Sequence, residues 1–265
     1  MIATSIIQNN SCFDKALIQQ RFLSAASTYD AHAKVQKVMA HEMVQLAGRH
    51  LNPKQANMFE IGCGTGVLTQ QILKKFYPQR YICNDLVEEI EPQIAAVVAQ
   101  NKVSEFTFTG GDAEQINFSP GQNVIWSGAT LQWIKNLPAF FDKCAANLGE
   151  RGYLCVSSFG PENYREIKAC TGTGIAYKTK EEVILAASSC FELVEQKEWH
   201  QSLWFETPVE VLKHMRQTGV NGVSPCKWTK GDLMNFKQRY KQFAQLQGYP
   251  LTYHPFILIL KKADS

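Results

Sequence analysis

The sequence predicts an α/β fold built on a mostly parallel sheet, and three observations predict it. Short β-favouring runs alternate with helical ones between about residues 55 and 160. The glycine-rich stretch "MFEIGCGTGVLTQQI" (58–72) joins one of those runs to a helix-like pattern. A last apolar run, "LTYHPFILILKK" (251–262), arrives after a helical insertion with nothing helical behind it. Strands that alternate with helices form parallel βαβ units with right-handed crossovers. A final strand without a following helix closes the chain on its own sheet.

The elements follow in order. Residues 13 to about 50 read as helix with a break near 27–30. There "DAHAKVQKVMAHEMVQLAG" places Ala33, Val35, Val38, Met39, Met43, Val44 and Leu46 largely on one face, and Gly48 can close it. The α/β alternation then runs "NMFEIG" and "VLTQQILKKF", "RYICND" and "VEEIEPQIAAVVAQN", "EFTFTGG", "NVIWSG" and "LPAFFDKCAANL", and "GYLCVSSF". Next, "GPENYREIKACTGTG" reads as a helix closed by glycines, and "TKEEVILAASSC" as another with Thr179 as its N-cap. "FELVEQKEWHQSLWFE" reads as one long strand. Two helices, "TPVEVLKHMRQTG" and "TKGDLMNFKQRYKQFAQLQG", flank the turn-rich "VNGVSPCKW" before the last strand.

Composition narrows the function classes. At 265 residues, 45% hydrophobic and 19% charged, the chain has room for one domain with an insertion. It contains no run of eighteen apolar residues, so no membrane-spanning helix is expected. "MIATSIIQNNSCFDKAL" has neither a basic start nor a long apolar stretch, so it does not read as a secretory signal, and a cytoplasmic location is expected. Eight cysteines, at 12, 63, 83, 144, 155, 170, 190 and 226, form no C-x-x-C pair, and most sit in strand-like runs. Buried thiols, and no metal, are the expectation. A net charge of +3 is too small to argue for nucleic acid.

The glycine loop identifies its ligand partly by what it lacks. A phosphate-binding P-loop needs Lys-Ser/Thr where this chain has Val67-Leu68. A dinucleotide fingerprint would put its third glycine at Val67. Instead the series is Gly62-x-Gly64-x-Gly66 with Glu60 two residues upstream. A carboxylate there repels a pyrophosphate but suits an ammonium or sulfonium group. Glycine-rich turns with no ligand also exist, so the later strand ends carry weight. "YICNDL" ends a strand with Asp85, placed to accept from a ribose 2′,3′-diol. "TGGDAEQI" ends the next with Asp112-Ala113, placed to read an adenine edge.

This series, E-x-G-x-G-x-G, then an acid, then G-D-A, resembles the S-adenosylmethionine site of class I methyltransferases. The resemblance implies a Rossmann-like, seven-stranded, mostly parallel sheet with an antiparallel last strand, an N-terminal helical lid and a helical insertion before that strand. Residues 1–52 would be the lid, 53–200 the cofactor-binding core, 201–248 the helical acceptor and lid insertion, and 249–265 the final core strand. It also implies cofactor contacts at Glu60, Gly62, Cys63, Gly64, Gly66, Asp85, Leu86, Asp112, Ala113 and Ser127, with Gln36 at the amino-acid end.

Four further segments resemble one family, the malonyl-[acyl-carrier protein] O-methyltransferases of biotin synthesis (the BioC family). They are "RFLSAASTYDAHAKVQKVMA" (21–40), "VIWSGATLQWIKNLPAFFDKCAANLGERGYLCVSSFGP" (124–161), "LWFETPVEVLKHMRQTGVNGV" (203–223) and "GYPLTYHPFILIL" (248–260). The likeness covers the chain from about residue 21 onward. "GPENYREIKACTG" and Gly128 depart from the family's common pattern.

The resemblance implies methylation of the free carboxylate of a malonyl thioester, on acyl carrier protein or on coenzyme A. An ionised acceptor needs no general base, which suits a chain with no Cys-His or Ser-His-Asp arrangement. Recognising the acidic head calls for arginine or tyrosine donors, and the candidates are Tyr29, Arg165, Arg216 and Tyr240. Tyr29, Gln132 and Trp133 are the positioning candidates, and His254 reads as a structural histidine. Between residues 197 and 241 eight Lys/Arg face four Asp/Glu, with Lys230, Lys237, Arg239 and Lys241 around one helix. Such a rim would steer an acidic carrier, and a solvated helix face accounts for the same residues. The rival readings are a carboxyl methyltransferase for a small free acid of the trans-aconitate type, a catalytically silent cofactor binder, and a dinucleotide oxidoreductase, which Val67 and Glu60 disfavour.

Overall fold

A computed structural model describes residues 14–219 and 228–264. The linker at 220–227, Cys12, Cys226 and the first thirteen residues of the expected lid lie outside the described residues.

Two helices open the chain, α1 (Lys15–His32) and α2 (Lys34–Ala47). The break between them falls at Ala33, not at 27–30. Thr28 Oγ1 donates back to the Ala25 carbonyl within a continuous helix, and the chain turns only at the fully buried Ala33. The apolar face of α2 is as expected except at Val38, which is 38% exposed.

The alternating region builds β1 (Lys54–Ile61), α3 (Val67–Lys75), β2 (Tyr77–Asp85), α4 (Glu91–Ala99), β3 (Glu105–Gly110), β4 (Gln122–Gly128), α5 (Leu137–Asn147) and β5 (Leu148–Phe159). After it come α6 (Arg165–Thr171), α7 (Lys180–Ala187) and β6 (Phe191–Glu198), then β7 (Gln201–Phe205), α8 (Pro208–Gln217), α9 (Lys230–Tyr240), β8 (Tyr249–Tyr253) and β9 (Pro255–Lys262). Seven strands form one sheet in the order β3-β2-β1-β4-β5-β9-β6, parallel from β3 to β5, with β9 antiparallel to both its neighbours. This is the class I, Rossmann-like arrangement that the sequence led us to expect.

Alternation along each strand fills two cores. Met58, Tyr81, Cys83, Val124 and Trp126 pack on one face with α2, α3 and α4, while Phe59, Ile61, Ile82 and Ile125 pack on the other with α5 and α7. A third cluster joins α6, α8, α9 and β8 through Tyr164, Val211, Phe236, Tyr240 and Tyr253. Thr179 caps α7 as predicted, and Thr207 and Thr229 complete the same kind of capping box on α8 and α9.

Two long runs that the sequence reads as single strands are each cut in two. "FELVEQKEWHQSLWFE" splits into β6 and β7 at Trp199-His200, and the last run splits into β8 and β9 at His254. Both breaks occur together, with the His200 and His254 rings stacked at 4.1 Å. One antiparallel ribbon therefore leaves the main sheet and continues as the separate β7–β8 pair. Residues 249–253 thus belong to the small sheet. Helix α9 is also shorter than its pattern, because a 3₁₀ turn over Lys241–Phe243 follows it.

Candidate active site

In an open α/β sheet the ligand crevice lies beyond the carboxyl ends of the strands. Here β1 to β4 deliver Ile61, Asp85, Asp112, Gly128 and Ala129 to one cavity, and α1 and α2 cover it. One stripe of α1, namely Lys15, Ile18, Gln19, Phe22, Ala26 and Tyr29, lies along its wall.

The loop between β1 and α3 has positive φ at all three glycines, 69°, 50° and 90°. At Gly62 a Cβ would lie 2.2 Å from Thr130 Oγ1, so a side chain there would push the β4 turn out of the cavity wall. At Gly64 a Cβ would meet nothing within 4 Å, so this backbone faces open space. Gly62, Cys63 and Gly64 line the cavity, whereas Gly66 caps α3 behind it and packs toward Ile94.

Asp85 ties the loop to β2. Its Oδ2 accepts from the Gly64 amide at 2.7 Å and its Oδ1 from the Val87 amide at 2.9 Å. Burial raises its carboxyl, against the pull of the Val87, Gly64 and Leu86 amides. Leu86 and Ala113 are on the same wall. Asp112 is there too, and the Lys15 ammonium sits 2.6 Å from both of its oxygens. Lys15 also reaches Glu114 Oε2 at 2.5 Å. Glu114 in turn accepts from the Lys135 and Asn136 amides after β4. Burial alone would lift the Glu114 carboxyl, but Lys15 and those amides hold it below its ordinary value.

Glu60 stands behind the loop and is off the cavity wall. Strand alternation turns it to the α3 side, where it is fully buried and accepts from Thr69 Oγ1 at 2.7 Å and from the Tyr81 hydroxyl. Burial pushes its carboxyl up to about 7 despite those donors, and its Oε1 has no partner. Ser127 is likewise buried in β4 with its hydroxyl unpartnered, one residue short of the wall.

Gln36 is 7% exposed and lines the cavity with an unpartnered Oε1. An acceptor buried without a donor is costly, which suits a site completed by a ligand carrying N–H groups. Tyr29 lines the same region; burial, then the Asp30 and Asp85 charges, push its phenol up, so its hydroxyl stays a donor. Gln132 is anchored on both sides: its Nε2 donates to the Ala129 carbonyl at 2.6 Å and its Oε1 accepts from Ser158 Oγ at 3.0 Å. That glutamine braces Ala129, whose φ of 52° is unusual for a non-glycine residue. Trp133 meets Phe22 of α1 edge-on at 6.1 Å.

The other candidate acceptor residues are not on this wall. Tyr240 is fully buried and donates to the Pro250 carbonyl at 2.8 Å, which makes it a packing residue of the third cluster. Arg165 is more than half exposed and pairs with Glu162 and Glu166 at 3.5 Å. Arg216 is exposed on α8. Lys230, Lys237, Arg239 and Lys241 are exposed around α9, and Arg239 also donates to the Ala169 carbonyl at 2.9 Å. His254 is 8% exposed, bonded to Glu198 at 2.9 Å and held below its ordinary value by burial.

Sequence reasoning missed Lys15, and it missed Asp30, whose Oδ1 accepts from Thr65 Oγ1 at 2.6 Å. It also missed Phe159 and Thr218, which line the cavity. Among the described residues no group of three or more His, Cys, Asp or Glu is placed to hold a metal, and no helix is long and apolar enough to cross a membrane. The six described cysteines are free thiols, and burial raises the Cys63 thiol in the loop well above its usual value.

Known proteins resemble this chain in sequence and in fold. Residues 58–152 match the methyltransferase domain family. The chain is 37% identical over 244 residues to the malonyl-[acyl-carrier protein] O-methyltransferase of Calditerrivibrio nitroreducens, covering 92% of this chain and 96% of that one. It is 39% identical to the protein of the same name from Bacteroides fragilis, covering 94% of this chain but only half of that longer one. Among solved structures, the methyltransferase candidate BH2331 from Bacillus halodurans superposes with a TM-score of 0.63 at 15% identity, over 85% of this chain and 99% of that one.

Proposed function

The chain belongs to the malonyl-[acyl-carrier protein] O-methyltransferase family, and from that premise we propose that it moves a methyl group from S-adenosylmethionine to the free carboxylate of a malonyl thioester. The observation that carries this reading is the set of acceptors turned into one cavity: Asp85, Asp112 and the unpartnered Gln36 Oε1. Acceptors of that kind fit a ligand with an ammonium, a sulfonium, a ribose diol and an adenine amino group.

When bound there, the cofactor supplies an electrophilic methyl on a positively charged sulfur. Gln36 would take the ammonium, Asp85 the diol, and Asp112 with the Ala113 amide the adenine edge, beside Leu86. Glu60 would act from behind the loop, through its charge and its hold on α3. The acceptor carboxylate is ionised at neutral pH, so the remaining side chains need only orient it and exclude water. Tyr29 can donate to it as a neutral phenol, while Gln132 and Trp133 keep the β4 turn in place. Tyr29, at the cavity, carries that role better than Arg165, Arg216 or Tyr240.

The methyl ester masks a charge, so fatty-acid elongation enzymes can extend the chain toward the pimeloyl precursor of biotin. The acceptor would arrive on an acidic acyl carrier protein, and exposed Lys230, Lys237 and Lys241 offer it a basic helix face in the cytoplasm. Turnover measured side by side with malonyl-carrier protein, malonyl-coenzyme A, malonate and trans-aconitate tests this reading. A kcat/KM at least about tenfold higher for a malonyl thioester than for the free acids is expected. Preference for a free acid would overturn the acceptor assignment, and binding without turnover would leave a silent cofactor binder.

A further inference from the structure

Helix α1 is fastened to the core near both its ends. At its start, the Lys15 ammonium lies 2.6 Å from both Asp112 oxygens and 2.5 Å from Glu114 Oε2. Near its end, Asp30 Oδ1 accepts from Thr65 Oγ1 of the glycine loop at 2.6 Å. The fifteen-residue span between these fastenings is roughly 22 Å of helix, laid along the cavity with Phe22 and Tyr29 on the wall. The two fastenings differ in kind, since the second joins a carboxylate to a hydroxyl, while the first joins one cation to two carboxylates. Lys15, Asp112 and Glu114 have side chains 18%, 23% and 14% exposed, so water screens them only partly. Glu114 also holds the Lys135 and Asn136 amides, so the same carboxylate links the helix to the turn after β4.

We infer that Lys15 seals the adenine end of the cavity and sets how fast S-adenosylmethionine and its demethylated product enter and leave. This rests on the cofactor reading above. With the ion pairs made, α1 lies across the adenine end and a bound nucleoside cannot leave sideways. With them broken, the first turns of α1 lift and the ligand exchanges. Lys15 touches the residue that reads the adenine edge, so it positions Asp112 as well as closing over it.

The test is the dissociation rate of radiolabelled S-adenosylhomocysteine, chased with unlabelled compound, for the full-length wild type, Lys15→Met, Lys15→Arg and Glu114→Gln. Lys15→Met should release at least about tenfold faster, with Lys15→Arg close to wild type and Glu114→Gln between them. The wild-type rate should climb with ionic strength and the Lys15→Met rate should stay flat. Unliganded melting temperatures report folding separately. A Lys15→Met rate within about twofold of wild type at every salt concentration would overturn the inference and leave the cofactor reading standing. Failure of the wild type to bind S-adenosylhomocysteine would overturn both.

Discussion

The Gly64 amide and the Asp85 carboxylate are 2.7 Å apart, so the glycine loop and the end of β2 behave as one piece. That bond holds the loop backbone against the cavity before any ligand arrives. Asp85→Ala should therefore loosen the loop and remove the proposed diol acceptor together. S-adenosylmethionine affinity, measured by calorimetry, should fall roughly 10- to 100-fold while the far-ultraviolet circular dichroism is kept. Unchanged affinity would remove Asp85 from the site.

Gln36 makes a prediction with two signs. Its Oε1 is buried without a donor, so Gln36→Leu should stabilise the unliganded protein by about 1 kcal/mol. The same change should weaken S-adenosylmethionine binding roughly tenfold. Opposite movements of melting temperature and affinity mark a residue kept for its ligand. If both fall together, Gln36 is only structural.

Glu60 predicts a pH dependence. Burial raises its carboxyl to about 7 from an ordinary 4.5, so between those values the folded state holds more proton than the unfolded state. Stability is lost as pH rises through that window, by up to about 3 kcal/mol above it. Glu60→Gln keeps an oxygen for Thr69 and Tyr81 but carries no charge. The unliganded variant should match wild type near pH 4.5 and exceed its stability near pH 8. His214, which burial and then the charges of His32 and Lys34 depress to about 4, acts in the opposite direction, but it is common to both proteins and cancels in their difference. A gap that does not change with pH would contradict the burial of a charged Glu60.

The basic face of α9 is tested by Lys237→Glu combined with Lys241→Glu. Both side chains are exposed, so folding should be untouched. KM for malonyl-carrier protein should rise about tenfold, most steeply at low salt, with malonyl-coenzyme A turnover unchanged. Equal effects on both substrates would place the carrier elsewhere.

The parts of the site that could be read in the sequence are those set by local chemistry. Glycines at alternate positions and acids at strand ends have meaning without any partner, and Gly62, Gly64, Asp85 and Asp112 all reach the cavity. What could not be read depends on meetings between distant residues. Lys15 and Asp112 are 97 positions apart, and no spacing rule links them. Tyr240 shows the converse error, because a phenol that suits an acceptor site equally suits the Pro250 carbonyl that it actually meets. The break at His254 was hidden because apolar residues continue on both sides of it, and only the pairing of β8 with β7 and of β9 with β5 and β6 shows that the run serves two sheets. Glu60 was identified as important by its motif, but only strand alternation reveals that it turns away from the ligand side.

The central claim is carboxyl methylation in this cavity, and intact-mass spectrometry of malonyl-acyl carrier protein tests it most directly. After incubation with this protein and S-adenosylmethionine, the carrier should gain one methyl group, which fragmentation should place on the malonyl group. At limiting S-adenosylmethionine that gain should fall sharply in Asp85→Ala and in Tyr29→Phe. An unmodified malonyl carrier, under conditions where S-adenosylmethionine is demonstrably bound, would contradict the account.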